Sequence, residues 1–220
     1  MSDFRYEIIP LHHVSSSQQE LLNRVFDMWE SIFGSVLNDA GEELDLADFF
    51  RCHSAGVISH KDSIVGFNLF TLFDINLNSH LRHHYIAHLD AQTVQSLKER
   101  KCTRLMTMEY FTVGFEWRRK LRDMPWAEIL TGLGLQYLDQ SPAHAVLGTP
   151  RVDLKVDQMC ERLGATALQT PIKKMNYDCA VILFEKMAYR QFLNPTTQTW
   201  VKELWKNHLR QKLQVHDHCL

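Results

Sequence analysis

No stretch of this 220-residue sequence approaches the ~20 consecutive apolar residues of a membrane-crossing helix, which excludes a helical span. The opening MSDFRYEIIP carries charges where a secretory signal needs an apolar centre, so a cytoplasmic protein is expected. Five cysteines, Cys52, Cys102, Cys160, Cys179 and Cys219, are odd in number, scattered and never spaced as CxxC. Reduced thiols rather than a disulfide framework follow from that pattern. A net charge of -2 provides no global basic field, which argues against nonspecific nucleic-acid binding. Repeats at a fixed period and low-complexity tracts are also missing.

What is present describes a folded α/β protein. Apolar residues make up 45% of the chain and charged residues 23%, the balance of a globular core with a solvated surface. No linker divides the chain, so one domain over 1–190 and a carboxy-terminal helical extension over 191–220 are expected. FRYEIIPL (4–11) alternates as a strand. SSSQQELLNRVFDMWESIFG then places Leu21, Leu22, Val25, Phe26, Met28, Trp29, Ile32 and Phe33 at helical spacing, with Gly34 as the stop. NDAGEELDLADFF predicts a shorter helix with Leu44, Ala47 and Phe50 inward.

AGVISH and SIVGFNLFTLFDI, divided by the polar pair KD, predict a hairpin. A polar, partly helical insertion over 76–100 follows. TRLMTMEYFTV predicts a central strand, PWAEILTGLGLQYLDQ a helix with proline in its first turn, and AHAVLGT a short strand. RVDLKVDQMCERLG predicts a helix closed by Gly164, ATALQTPIKKMNY and DCAVILFEK a final pair of strands, and the tail is helical from Thr197.

The order β-α-α-β-β-(insert)-β-α-β-α-β-β resembles the GNAT superfamily of acyl-CoA-dependent N-acyltransferases over roughly 4–186. AGVISHKDSIVGFNLFTLF is similar to its second and third strands, MEYFTV to its fourth, and MCERLGA to the YEKLGF end of its last helix. The resemblance implies a mixed central sheet flanked by helices. It implies an acyl group moved from acyl-CoA or acyl carrier protein to a small amine by direct attack on the thioester, with no metal. It also implies that the fourth strand, at Phe111, Thr112 and Val113, pairs the donor's pantetheine arm and supplies N–H groups to the oxyanion, provided the strands splay there.

Two departures qualify the resemblance. The superfamily's glycine-rich phosphate loop is missing, since FEWRRKLRDMPWAEIL has no glycine. Arg118, Arg119, Lys120 and Arg122 stand in its place as candidate pyrophosphate ligands, or as an ordinary solvated turn. That position is closer in character to N-acyl amino acid synthases and acyl-homoserine-lactone synthases, enzymes that can take long chains from acyl carrier protein. The second departure is Cys160 where many members have tyrosine, either an acid for the leaving thiolate or a small core residue.

Glu109 sits inside an apolar strand where the superfamily often has its base. It either serves the amine, faces the wet side of the sheet or pairs with a basic neighbour such as Arg104. His80, His83, His84 and His88 crowd the insertion, as metal ligands or as part of a solvated lid, and His12 and His13 end the first strand. Met106, Met108, Phe67, Phe70 and Phe73 line an acyl tunnel or fill a core. Val201, Leu204, Trp205 and Leu209, with Trp200 at the edge, form a stripe that packs on the domain or lies on a membrane or partner. The alternatives to an acyltransferase are a noncatalytic GNAT-fold binding or regulatory domain and a module acting through its tail.

Overall fold

The computed structural model describes residues 3–120, 124–186 and 194–217. Among them seven strands form one sheet in the order β1-β2-β3-β4-β5-β7-β6. The strands are β1 (Phe4–Pro10), β2 (Ser54–His60), β3 (Ser63–Asp74), β4 (Arg104–Val113), β5 (Ala145–Gly148), β6 (Thr166–Lys174) and β7 (Tyr177–Glu185). Every pairing is antiparallel except β4 with β5. That parallel pair requires a crossover, provided by α5 (Phe115–Lys120) and α6 (Trp126–Gln140).

One face of the sheet carries α1 (Gln19–Asp39) and α2 (Ala47–Phe50), where Leu21, Val25, Trp29 and Phe49 pack on Ile9, Val57, Phe67 and Leu69. Each such side chain contributes about 1.5–3 kcal/mol on full burial. The other face carries α6, α7 (Val156–Arg162) and α8 (Pro195–Asp217). On α8, Val201, Leu204 and Trp205 are buried and join Tyr6, Ile58, Val65, Trp126 and Leu133 in one cluster, with Trp200 and Leu209 packed against it. The tail's stripe is therefore covered by its own chain.

The sequence and the structure part in four places, one of them α5, a helix where the sequence offers a turn as the alternative to phosphate ligands. Helix α1 runs through Gly34 to Asp39, and the reversal comes at Gly41, whose φ of +76° suits glycine. Helix α2 has only four residues, because the Asp45 carboxylate accepts from Ala47 N–H and starts the turn late. Its inward side chain is Phe49, 1% exposed, whereas the expected Phe50 is 58% exposed. Helix α7 begins five residues later than the pattern predicts, since Lys155 holds a left-handed φ of 55°.

The insertion over 76–100 contains α3 (Asn78–Leu81) and α4 (Ala91–Glu99). It is less polar in role than in composition. Tyr85, Ile86, Leu89 and Leu97 are buried against Phe73, Leu105, Leu147 and Leu183. Phe67, Phe70 and Phe73 fall into three different clusters, and Met106 joins Phe70 beneath α6 and α7. They fill the core on both faces of the sheet.

Candidate functional site

The site grows from an irregularity in β4. Thr112 pairs with Phe67 and Glu109 with Leu69, so β4 spends one residue more than β3 over this interval. The extra residue is a bulge at Tyr110, whose φ is 52°. Its consequence is that Glu109 and Tyr110, though adjacent, both face α1 and α2. Tyr110 meets the rings of Trp29 and Phe33, and its hydroxyl donates to Asp48 Oδ2 at 2.6 Å.

Glu109 is 4% exposed, and its partner is Arg51, the residue that follows α2. Arg51 Nη2 donates to Glu109 Oε2 at 2.6 Å and Nη1 to Oε1 at 3.3 Å, while Nε reaches Asp48 Oδ1 at 2.8 Å. Thr107 Oγ1 adds a bond to Glu109 Oε1 at 2.6 Å. Arg104, the neighbour that sequence proximity suggested, bonds His144 instead. Burial pushes the Glu109 carboxyl up, but Arg51 and the Thr107 hydroxyl outweigh it and hold it below its ordinary value. Asp48 is likewise held low, as the Tyr110 hydroxyl and Arg51 overcome the effect of burial.

Beside this network the sheet opens. β4 pairs with β5 only at Leu105–Thr107 against Ala145–Leu147, so residues 108–113 of β4 have no strand partner on that edge among the described residues. Gly114 N–H donates to Val65 O, which turns the preceding carbonyl, Val113 O, away from β3. In extended backbone the Val113 N–H points the same way, toward the opening, while Thr112 N–H faces β3. Arg118 Nε donates to Val113 O at 2.8 Å, which places its guanidinium at the end of that open edge. Arg119 and Lys120 end α5, but their side chains, and Arg122 altogether, lie outside the described residues.

A second cation stands near the opening. Lys174 of β6 lies 3.8 Å over the Tyr85 ring and donates to Thr149 Oγ1 at 3.4 Å. Burial lowers its pKa, partly offset by the field of Glu109. Cys160 lies elsewhere, on α7 among Phe70, Met106, Leu135 and Phe184. Burial there pushes its thiol up to about 12, a protonated group in apolar surroundings.

Among the described residues no group of three or more His, Cys, Asp or Glu side chains is arranged to hold a metal ion. The ring nitrogens of His80 and His83 instead accept backbone bonds from Asp74 and Tyr85. No helix among the described residues is long and apolar enough to cross a membrane. Sequence reasoning missed Arg51, Asp48 and Lys174, because nothing in the local pattern near each one points across the sheet.

Neither protein-family models nor curated protein sequences match the chain. Solved structures do. FeeM, an N-acyl amino acid synthase from uncultured soil microbes, superposes with a TM-score of 0.57 at 10% identity, covering 88% of this chain and 97% of its own. BjaI, a CoA-dependent acyl-homoserine lactone synthase solved with SAM and isopentyl-CoA, gives 0.58 at 14% identity, covering 91% and 89%. An acyl-CoA N-acyltransferase from Pseudomonas aeruginosa gives 0.52 at 8% identity, covering 82% and 98%. Similarity at such identities is one of architecture, and the chain has a GNAT-like fold.

Proposed function

We propose that this protein is an N-acyltransferase that moves an acyl group from a phosphopantetheine thioester to a small amine. The observation that carries the proposal is the parting of β4 from β5 directly beside the buried Glu109–Arg51–Asp48 network. The pantetheine arm would pair with the open edge at Phe111, leaving Val113 N–H for the oxyanion, with Thr112 behind them. Arg118, with Arg119, Lys120 and Arg122 around it in sequence, would meet the donor's phosphates in place of a glycine loop. The same cations suit the acidic surface of an acyl carrier protein, so acyl-CoA and acyl carrier protein are both candidate donors. FeeM and BjaI, whose names state amino-acid and CoA chemistry, support the reading through shared architecture.

In this proposal the acceptor arrives as an ammonium, drawn to the carboxylates of Asp48 and Glu109. Lys174 faces the same opening and suits an acceptor carboxylate, so an amino acid is the acceptor class we favour. Once neutral, the amine attacks the thioester carbon. Val113 N–H steadies the oxyanion, the C–S bond breaks, and the thiolate leaves with a proton from the nitrogen. Cys160, with its thiol near 12 and its place in the apolar cluster, serves packing in this scheme.

One observation favours a second reading. Glu109 is already occupied at both oxygens, as a purely structural carboxylate would be in a noncatalytic binding or regulatory domain. The deciding experiment is thermal stability against CoA, acetyl-CoA, longer acyl-CoAs and acylated carrier protein. A ligand at ~100 times its Kd adds about 2.7 kcal/mol. Stabilisation by acyl thioesters with thiol release on adding amino acids supports the enzyme. Stabilisation without thiol release points to the binding domain, and no stabilisation by any donor removes the acyltransferase.

A further inference from the structure

We propose that His84 accepts the proton that the acceptor's ammonium must lose and passes it to solvent. The inference rests on the acyltransferase reading above and names a group that this reading leaves open. The chemistry needs a neutral amine, yet Glu109 has both oxygens engaged by Arg51 and Thr107. A carboxylate so held is a weak base, because taking a proton would weaken a two-pronged ion pair in a buried place. Asp48 is similarly tied, to Arg51 through Oδ1 and to Tyr110 through Oδ2.

The insertion, which brings His84 to the edge of this network, offers imidazoles, and their bonds sort them. In the neutral ring one nitrogen donates and the other accepts. The accepting nitrogen of His80 is occupied by Asp74 N–H and that of His83 by Tyr85 N–H. Both rings must then carry their proton on Nε2, with no lone pair to spare. His53, just before β2, is likewise occupied by Leu72 N–H. His84 is different. Its Nε2 lies 3.9 Å from Asp48 Oδ1, too far for a hydrogen bond and near enough for a charge pair once the ring is protonated. Its side chain is 57% exposed against 22% for Asp48, so the ring spans the distance from the acidic network to solvent.

The charges that reach the ring suit a proton acceptor at neutral pH. Burial, Arg51 and Lys174 lower the His84 pKa, opposed by Asp48 and Glu109, and His83 lies against it with ring centroids 4.4 Å apart. The ring is therefore neutral at pH 7 and can take a proton. In the step itself, one N–H bond of the acceptor's ammonium breaks and its proton joins His84 Nε2. The freed lone pair then attacks the thioester, and the imidazolium, held for a moment beside Asp48, releases its proton to water. The second nitrogen proton leaves with the thiolate, so charge and atoms balance.

The test uses the full chain, octanoyl-CoA as donor and thiol release above the rate without protein as readout, with an equimolar mixture of the proteinogenic amino acids other than cysteine as acceptors. Hydroxylamine serves as a parallel acceptor whose nitrogen is largely unprotonated at neutral pH. H84Q is expected to lower kcat/KM for the amino acids by about 10²-fold and to abolish the acidic limb of the pH profile, whose midpoint lies below 6.5 in the parent. With hydroxylamine the loss should shrink, and H83Q should leave the amino-acid profile in place. Because His84 is exposed, an unchanged melting temperature for H84Q shows that the fold is intact. An H84Q profile matching the parent's overturns the inference alone. A parent that is not stabilised by any donor and releases no thiol with any acceptor overturns it together with the acyltransferase reading.

Discussion

Arg51 and Glu109 lie 58 positions apart and meet in a two-pronged ion pair in which the carboxylate side chain is only 2% exposed. The pair ties the residue after α2 to the centre of the sheet. Its value is asymmetric: removing one partner strands a buried charge, whereas removing both does not. Arg51→Met should cost about 3–5 kcal/mol in denaturant unfolding. The double variant Arg51→Met with Glu109→Met should recover a large part of that loss. If the two single changes add without recovery, the pair is not the unit described.

Acid should weaken the protein in two stages of known sign. His88 is half-buried, and burial with the field of Lys174 brings its pKa down to about 4 from 6.5. A group that binds protons more tightly when unfolded gives stability that is present above the unfolded value and lost as pH falls toward the folded one. Unfolding free energy should therefore be level between about pH 7 and 8 and decline from about 6.5 to 4, with His88→Gln making this part shallower. Glu109, held below 4.5, should add a second decline beneath that value, which Glu109→Gln removes. Urea titrations at stepped pH would show both, and a parent curve level to pH 4 would contradict the first.

Much of this fold was legible because periodicity reports burial. Strand and helix order, the turn at KD and the stop at Gly164, where φ is 98°, all follow from local pattern. The failures have two causes: a local turn that periodicity does not report, and a long-range contact that no local signal shows. Gly34 looks like a stop, but it lies within α1, and the left-handed reversal comes at Gly41. Phe49 and Phe50 are indistinguishable in sequence until the Asp45 cap sets the phase of α2. Glu109 was visible as an oddity in an apolar strand, yet its partner could not be seen, since Arg104 is near in sequence and Arg51 is near in space. The Tyr110 bulge has no signature, because a non-glycine residue at φ 52° runs against its own preference.

Lys174→Met tests the acceptor class. If Lys174 holds a carboxylate, its loss removes a charged hydrogen bond worth about 1.5–3 kcal/mol. KM for an amino acid should then rise by roughly 10–100-fold with kcat little changed, and the matching amine without its carboxylate should show no such rise. Equal effects on both acceptors would place Lys174 in packing against Tyr85 alone.

Cys160 gives a test in the opposite direction. A thiol near 12 in an apolar cluster should resist iodoacetamide at pH 8 in the folded protein and react after denaturation. Cys160→Ser should destabilise by about 1–3 kcal/mol through an unpaired hydroxyl, and Cys160→Ala should retain turnover. Collapse of kcat in a well-folded Cys160→Ala protein would return the thiol to the chemistry, as the proton source for the leaving thiolate.

The junction of α6 with α8 shows how the carboxy-terminal helix is held. A Cβ added at Gly132 would lie 2.7 Å from Val201 Cγ2, and one at Gly134 would lie 2.6 Å from Met108 Cε. The distances are nearly equal, but the neighbours are not. Valine on a helix has essentially one χ1 rotamer, so relief at Gly132 requires α8 to move from α6. Methionine has three rotatable bonds and can withdraw its terminal methyl from Gly134. Gly132→Ala should therefore cost about 1–3 kcal/mol, the range of an overpacked core, and Gly134→Ala clearly less. Adding Val201→Ala should restore much of what Gly132→Ala loses, because the two substitutions share one contact. Denaturation curves for the three variants and the double decide the matter: equal costs at the two glycines, or no rescue by Val201→Ala, would mean that α8 yields without resistance at this contact.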